Sequence, residues 1–345
     1  MIVIPFKDIF DKRKRKIYMA FIKLRASWPL LMASGAALVL CSCGKEAGNV
    51  ITPASNSTSA TDYVIVSNAM NALADDAALS ADQTNGIARG IIQLPGVCGS
   101  SAVDTSNGQT VTITYDSTTF CEGVIRSGSV SIALTTRNGW STRGAVITVT
   151  IINLGVNDPM TNQQLTLNGS FTITNESGGL LAGLSTGPGP IIRRHQSLNS
   201  IQVTNSGTTT NWSFDRTRSW ANLNINSTTV YNISEYSEAS SGVECTGVNR
   251  FGQVFTSNID TTIQADTYKC PLASGPLMEP YAGVVSHNVA GLVNTIAYGT
   301  NIQDTHAGTD QSCPSGGSSG NYGYFITYIE PTTNYIGYTF WAYYL

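Results

Sequence analysis

Ala145-Val146-Ile147-Thr148-Val149-Thr150-Ile151 alternates apolar with more polar side chains at a period of two. Successive side chains of a β-strand point to opposite faces, so this stretch reads as a strand with one buried face. The same period recurs on both sides of it. Val111, Ile113 and Tyr115 alternate with Thr112 and Thr114; Val130, Ile132 and Leu134 alternate with Ser129, Ser131 and Ala133; Leu165, Leu167, Phe171 and Ile173 follow. Further strand candidates lie at 201–204, 210–223, 228–233, 254–263, 293–298, 322–329 and 335–344. Short runs of Thr, Val, Ile and Tyr between Gly/Asn/Ser turns predict an all-β fold of antiparallel strands. Helical patterns do not alternate with these strands, which argues against a parallel α/β sheet.

The Gly- and Pro-rich stretch from Glu176 to Pro190 is the clearest interruption. It divides the strands into two expected β-sandwich-like halves, 88–185 and 191–345. A weak internal echo accompanies the division: Thr112-Ile113-Thr114-Tyr115-Asp116 before Cys121, and Thr295-Ile296-Ala297-Tyr298-Gly299 before Cys313. One helix is predicted over 62–80 from the spacing of Val66, Ala69, Met70, Leu73 and Ala77, with an acid as N-cap, packing on the sheet or capping its open end. The preceding 43–61 is rich in Ser, Thr, Asn and Ala and reads as a flexible tether. A transmembrane β-barrel competes with this architecture because the C-terminus is aromatic (Tyr338, Phe340, Trp341, Tyr343, Tyr344).

Residues 1–42 have the build of an export signal. Lys12-Arg13-Lys14-Arg15-Lys16, Lys23 and Arg25 precede an uncharged stretch from Ala26 to Leu40. That stretch is shorter than the roughly 20 residues a spanning helix needs, so it reads as a cleaved signal peptide. Translation starts at Met1 or Met19. Leu40-Cys41-Ser42-Cys43-Gly44 has the form of a lipobox, with an aliphatic residue three before Cys43 and a small one directly before it. Cys43 is therefore the expected lipidation site, with an ordinary signal peptide as the competing reading.

The chain after residue 42 holds 11 basic and 20 acidic residues, a net charge of −9. Such a surface repels phosphate backbones, which excludes nucleic acid as the expected partner. Only Lys45 and Lys269 remain as lysines, so lysine-based catalysis is nearly excluded by inventory. In an oxidising compartment disulfides persist, and the cysteines flanking corresponding strands pair as Cys98–Cys121 and Cys270–Cys313. Cys245 is left free and buried, with Cys245–Cys270 as the rival pairing.

The motif-bearing parts, over about 95–345, resemble a family of uncharacterised cell-envelope lipoproteins of the Bacteroidetes group. The resemblance rests on Ile113-Thr114-Tyr115-Asp116, Cys121 and Arg126-Ser127-Gly128-Ser129-Val130, then on Trp212, Arg216 and Trp220, and finally on Cys270, Ser274-Gly275, Tyr298-Gly299 and Cys313. Tyr115-Asp116 stands where that family usually has Phe-Gly. The resemblance implies an envelope address and a β-rich fold, and it implies no activity.

Few constellations suggest chemistry. Gly316-Gly317-Ser318-Ser319-Gly320 matches Gly-x-Ser-x-Gly but lacks the strand and helix a nucleophile elbow needs. Asp304, His306 and Asp310 read as a polar loop rather than a metal site, and His195 and His287 as surface residues. No cofactor or metal is expected. Trp212, Phe214, Arg216, Arg218 and Trp220 share one parity and hence one face. They form either a stacking surface for sugar rings or anions, or core aromatics covered by arginines. The expected function is an exported, membrane-anchored binding or adhesion module of the cell envelope, at the outer membrane rather than the inner. It is not expected to be an enzyme, and its partners are a glycan or a cell-surface protein. The alternative is a secreted carbohydrate-active hydrolase whose paired carboxylates come from acids such as Glu235, Glu238 and Glu244.

Overall fold

The computed structural model of the chain describes residues 53–87, 97–104, 110–121, 124–135, 139–159, 162–181, 184, 191–222, 233–239, 242–266, 280–301, 322–329 and 336–343. One helix, α1 (Pro53–Ile87), precedes fourteen strands. These are β1 (Ser100–Asp104), β2 (Thr110–Cys121), β3 (Val124–Leu134), β4 (Ala145–Asp158), β5 (Gln163–Asn175), β6 (Ile192–Asn205) and β7 (Thr208–Asn222). Then come β8 (Ile233–Glu238), β9 (Val243–Val248), β10 (Val254–Asp266), β11 (Pro280–Val289), β12 (Leu292–Asn301), β13 (Tyr322–Ile329) and β14 (Ile336–Tyr343). The all-β class is as predicted.

The strands form one antiparallel sheet in which each follows its predecessor, with one departure. Between β7 and β10 a single strand position is filled by two short strands end to end. β8 pairs with residues 217–222 of β7 and 263–266 of β10. β9 pairs with 212–214 and 254–258 of the same neighbours.

The expected division into two halves is corrected by this pairing. β5 and β6, on either side of the Gly/Pro-rich stretch, pair from Leu165↔Asn205 to Asn175↔Arg194. Glycine and proline end a strand locally, and nothing in that requires the next strand to join a different sheet.

The helix is also corrected. It is longer than 62–80 at both ends, and it takes over part of the expected tether. Ser/Thr/Asn-rich sequence has modest helix propensity, but tertiary burial decides here, with Asn56, Ser59 and Ala60 all at 2% exposure or less. Pro53 is compatible with the first helical turn, where its missing N–H costs nothing. Along Ser59–Ser67 every residue is buried, and Asn68, Asn71, Asp75 and Leu79 further on are partly buried, so this part of α1 lies largely in the core. It packs against β3 and β4 early in the sheet and against β11 to β14 late in it. The sheet thus curls around the helix.

The inner face of the sheet is apolar. On β4, Ala145, Ile147, Val149 and Ile151 are buried; the parity then changes, and Leu154 and Val156 are buried. The switch lies at a bulge, where the register passes from Ile151↔Gly169 to Leu154↔Leu167 and Asn153 adopts a φ of 48°. An inserted residue turns later side chains to the other face, which leaves Ile152 on the outside. Outward positions of β2 to β5 carry Thr112, Thr114, Ser129, Ser131, Thr148, Thr150, Thr172 and Thr174. This polarity is the reverse of a lipid-facing barrel wall, whose outside is apolar. No described helix is long and apolar enough to cross a membrane.

Cys98 and Cys121 are bonded, with Cα atoms 5.9 Å apart, and tie the approach to β1 to the end of β2. Cys245 is a buried free thiol. Cys270 and Cys313 lie outside the described residues, as does Cys43. Loop-closure entropy for the span between Cys98 and Cys121 corresponds to about 3.5 kcal/mol. Replacing both cysteines by serine is expected to lower the unfolding free energy by about that amount in a urea titration. A loss under about 1 kcal/mol would show that the bond adds little constraint.

Candidate functional site

A helix so largely buried must do something with its polar residues. Burying a charge costs several kcal/mol unless it is paired and hydrogen-bonded. Each described acid of α1 between Asp62 and Asp76 faces an arginine from the sheet. Asp62 receives the Nε of Arg250 at 2.7 Å and the Nδ2 of Asn205 at 3.2 Å. Asp75 is held in a two-pronged pair by Arg218, at 2.7 and 3.0 Å. Asp76 receives Arg126 at 2.8 Å and the Tyr115 hydroxyl at 2.7 Å. Arg126 also donates to the carbonyl of Cys98 at 3.1 Å, joining the disulfide to the helix. Burial outweighs the arginines enough to raise the carboxyls of Asp62 and Asp76 above their ordinary range.

The densest cluster sits mid-helix and depends on a bulge in β9. The register passes from Ser257↔Cys245 to Asn258↔Val243, leaving Glu244 without an opposite residue. The consecutive side chains of Glu244 and Cys245 are consequently both buried. Glu244 forms an ion pair with Arg216 and accepts from the Tyr63 hydroxyl. Arg216 also donates to Ser67 Oγ at 2.6 Å and to Asn71 Oδ1. Burial drives the Tyr63 hydroxyl and the Cys245 thiol well above their usual values, and pushes Tyr298 up to about 12. All three therefore stay protonated at neutral pH, and a protonated, enclosed thiol is a poor nucleophile.

His287 is clamped between two hydroxyls, Ser59 Oγ on Nε2 and Ser257 Oγ on Nδ1, each at 2.9 Å. Its ring stacks on Tyr63 with centroids 5.5 Å apart. The expectation that His287 is a surface residue is corrected: it is fully buried. Parity was the missed signal, since Val285 and Val289 flank it on the same inward face. Burial pulls its pKa down to about 3. His195 lies half-buried on the other face of the sheet, 3.3 Å from Asp215.

The aromatic–arginine strand is β7. Trp212, Phe214, Arg216, Arg218 and Trp220 share a face as predicted, but all five are buried. Of the two readings of this strand, burial matches core aromatics covered by arginines, on a face turned towards α1, and not a stacking surface for a glycan. Trp212 meets Phe255 edge-on at 4.8 Å. It lies against Gly247, where an added Cβ would come within 2.7 Å of the indole. Arg218 covers Trp220, and Arg194 sits between Trp140 and Trp220 at 5.1 and 5.4 Å. Cation–π cover holds for Arg218, whereas Arg216 is committed to Glu244.

A cavity of about 10 Å³ lies between Ala74, Asp75, Gln196, Arg218 and Trp220. That is space for one water molecule, far from the several hundred Å³ of a ligand pocket. Of the three acids expected to supply a hydrolytic pair, Glu244 is spent on Arg216 and Glu238 is exposed. Glu235 lies on β8, and its side chain is outside the described residues, as are Asp304, His306, Asp310 and the Gly316–Gly320 stretch. Among the described residues, the interior seam holds a helix rather than a substrate. No family profile, curated protein or solved structure matches the chain.

Removing one partner of a buried ion pair strands the other charge, at a cost of about 3–5 kcal/mol. Glu244→Gln is expected to destabilise on that scale in urea unfolding. The pair Arg216→Met with Glu244→Leu should recover most of the loss, and additive effects would disprove the coupling.

His287 gives a pH signature. Between its ordinary value of 6.5 and about 3, the unfolded chain binds a proton that the folded chain does not. Stability is thus complete above pH 6.5 and falls on acidification by about 1.4 kcal/mol per pH unit. Asp62 and Asp76, with raised carboxyls, contribute the opposite slope as pH falls through their folded values. NMR of the imidazole isolates the histidine, and a ring that protonates near pH 6 would contradict its enclosure.

Proposed function

We propose that the protein is an exported lipoprotein, anchored through an acyl chain on Cys43, that serves as a binding or adhesion module of the cell envelope. The observation that carries this reading is Leu40-Cys41-Ser42-Cys43-Gly44 directly after a basic and then an apolar segment. The outer membrane is the favoured location, and glycans or cell-surface proteins are the favoured partner class. The helix-packed interior supports a binder over an enzyme, because the described residues leave the outer sheet face and the strand connections as the accessible surface. The acidic mature chain, at 20 acidic against 11 basic residues, disfavours nucleic acid.

Acyl labelling in the producing bacterium tests the anchor. Cys43→Ala is expected to abolish incorporation of labelled fatty acid and to release the protein from membranes. Cys41→Ala should leave both intact. Undiminished labelling of the Cys43 variant would overturn the proposal.

A further inference from the structure

Two neighbouring hairpin tips lie beside the start of α1, and their composition differs from that of other turns at the same helix end. The first joins β9 to β10 through Asn249–Gln253, and the second joins β11 to β12 at Ala290 and Gly291. They are adjacent because Phe255 of β10 pairs with Val289 of β11. Phe251, Val254 and Val293 are exposed by 38%, 67% and 42%. Ala290 is exposed beside them and Leu292 partly so. Phe251 to Ile259 and Tyr281 to Gln303 contain no Asp, Glu, Lys or Arg. The one charge at the first tip, Arg250, is turned inward to Asp62 and Gln163. By contrast, the β6–β7 turn is Asn205-Ser206-Gly207-Thr208, and the β4–β5 connection begins at Asp158.

The first turns of α1 are fixed to these two tips. Asn294 Nδ2 donates to the Asn56 carbonyl at 3.1 Å, His287 holds Ser59, and Arg250 holds Asp62. The first described turns of the chain therefore lie beside them.

We infer that the Phe251/Val254 and Ala290/Val293 tips are the membrane-contacting surface of the anchored protein, resting on the lipid interface. This rests on the lipid anchor at Cys43. Nine residues separate Cys43 from Pro53, and the ten Cα–Cα steps between them, even fully extended, span about 35 Å. A compact unit of the size of Gly48–Leu345 has a radius of gyration of about 19 Å and is about 50 Å across. Such a body does not fit between the bilayer and a leash of that length. An orientation with the start of α1 turned away from the bilayer is thereby excluded, and the tips beside that start are the apolar described surface within reach of the lipid. The tips exposed there are uncharged and apolar, the composition that gains free energy by entering the headgroup boundary. The net charge of −9 after residue 42 makes a charge-free contact the one that avoids repulsion by anionic lipid.

Amide hydrogen exchange on the full lipidated protein tests the inference. The probe is vesicles of phosphatidylethanolamine and phosphatidylglycerol at high lipid-to-protein ratio, compared with the Cys43→Ala protein free in buffer. The expected result is severalfold slower exchange at 251–254 and 290–293 in vesicles, with 206–208 unchanged. Val254→Asp combined with Val293→Asp alters only exposed positions. It should restore the fast exchange while leaving the melting temperature and the acyl label intact. If Cys43 carries lipid and the tips still exchange as in buffer, the contact surface is wrong and the anchor stands. If Cys43 carries no lipid, both fall. Protection that grows with protein density in the bilayer would assign the tips to contacts between copies and overturn the lipid contact.

Discussion

The fold depends on packing the sheet against a helix whose described residues are mostly buried, polar ones included. Apolar side chains lie all round α1, as they do in a helix buried in the core of a large protein. Apolar packing alone therefore distinguishes poorly between one rotation of α1 and the next. The ion pairs make the distinction. Asp62, Asp75 and Asp76 meet Arg250, Arg218 and Arg126, and the Tyr63/Ser67/Asn71 edge meets Arg216 and Glu244. A slip of one residue, or a turn of about 100°, would strand several buried charges at several kcal/mol apiece. These pairs contribute little net stability over an apolar core, since desolvation offsets most of their attraction. What they contribute is a single register.

The sequence made the strands legible because the sheet has one apolar and one polar face. Period-two alternation around Ala145–Ile151 and Val111–Tyr115 is the direct imprint of that geometry, and the Cys98–Cys121 bond follows from where those strands end. The enclosure left a fainter mark. A helix amphipathic on one side announces the surface it packs against, whereas one buried throughout shows no preferred direction. Its first turns, Asn56 to Thr61, look like a linker because their burial is imposed by strands more than a hundred residues later. The single sheet was hidden for a related reason. Glu176 to Pro190 reports only that a strand has ended, and the β5–β6 ladder is a long-range fact.

The same argument explains the residues that chemistry suggested and the fold withdrew. Trp212, Arg216 and Trp220 look like a recognition surface when their strand is read alone, because aromatics beside guanidinium groups suit sugars and anions. They suit an enclosed helix studded with carboxylates and hydroxyls equally well. Parity places the residues on one face but does not say whether that face meets solvent or another element. The acids that decide it, Asp75 and Glu244, lie 143 residues earlier than Arg218 and 28 residues later than Arg216.

A filled interior also constrains where function resides. A sheet curled around a ligand cavity presents its inner face to the ligand, but here α1 occupies that space, and the cavity beside Ala74 has room for one water. Among the described residues, what remains accessible is the polar outer face and the connections between strands. The outer face of β2 to β5 is built of Ser and Thr, short side chains that hydrogen-bond locally and gain little by desolvation. The described connections differ from that face, because apolar side chains such as Phe251 and Val254 reach the surface there. Because the first turns of α1 are held by Asn294, His287 and Arg250, the start of the helix and the most apolar described tips lie side by side, and the burial of the one fixes the position of the other.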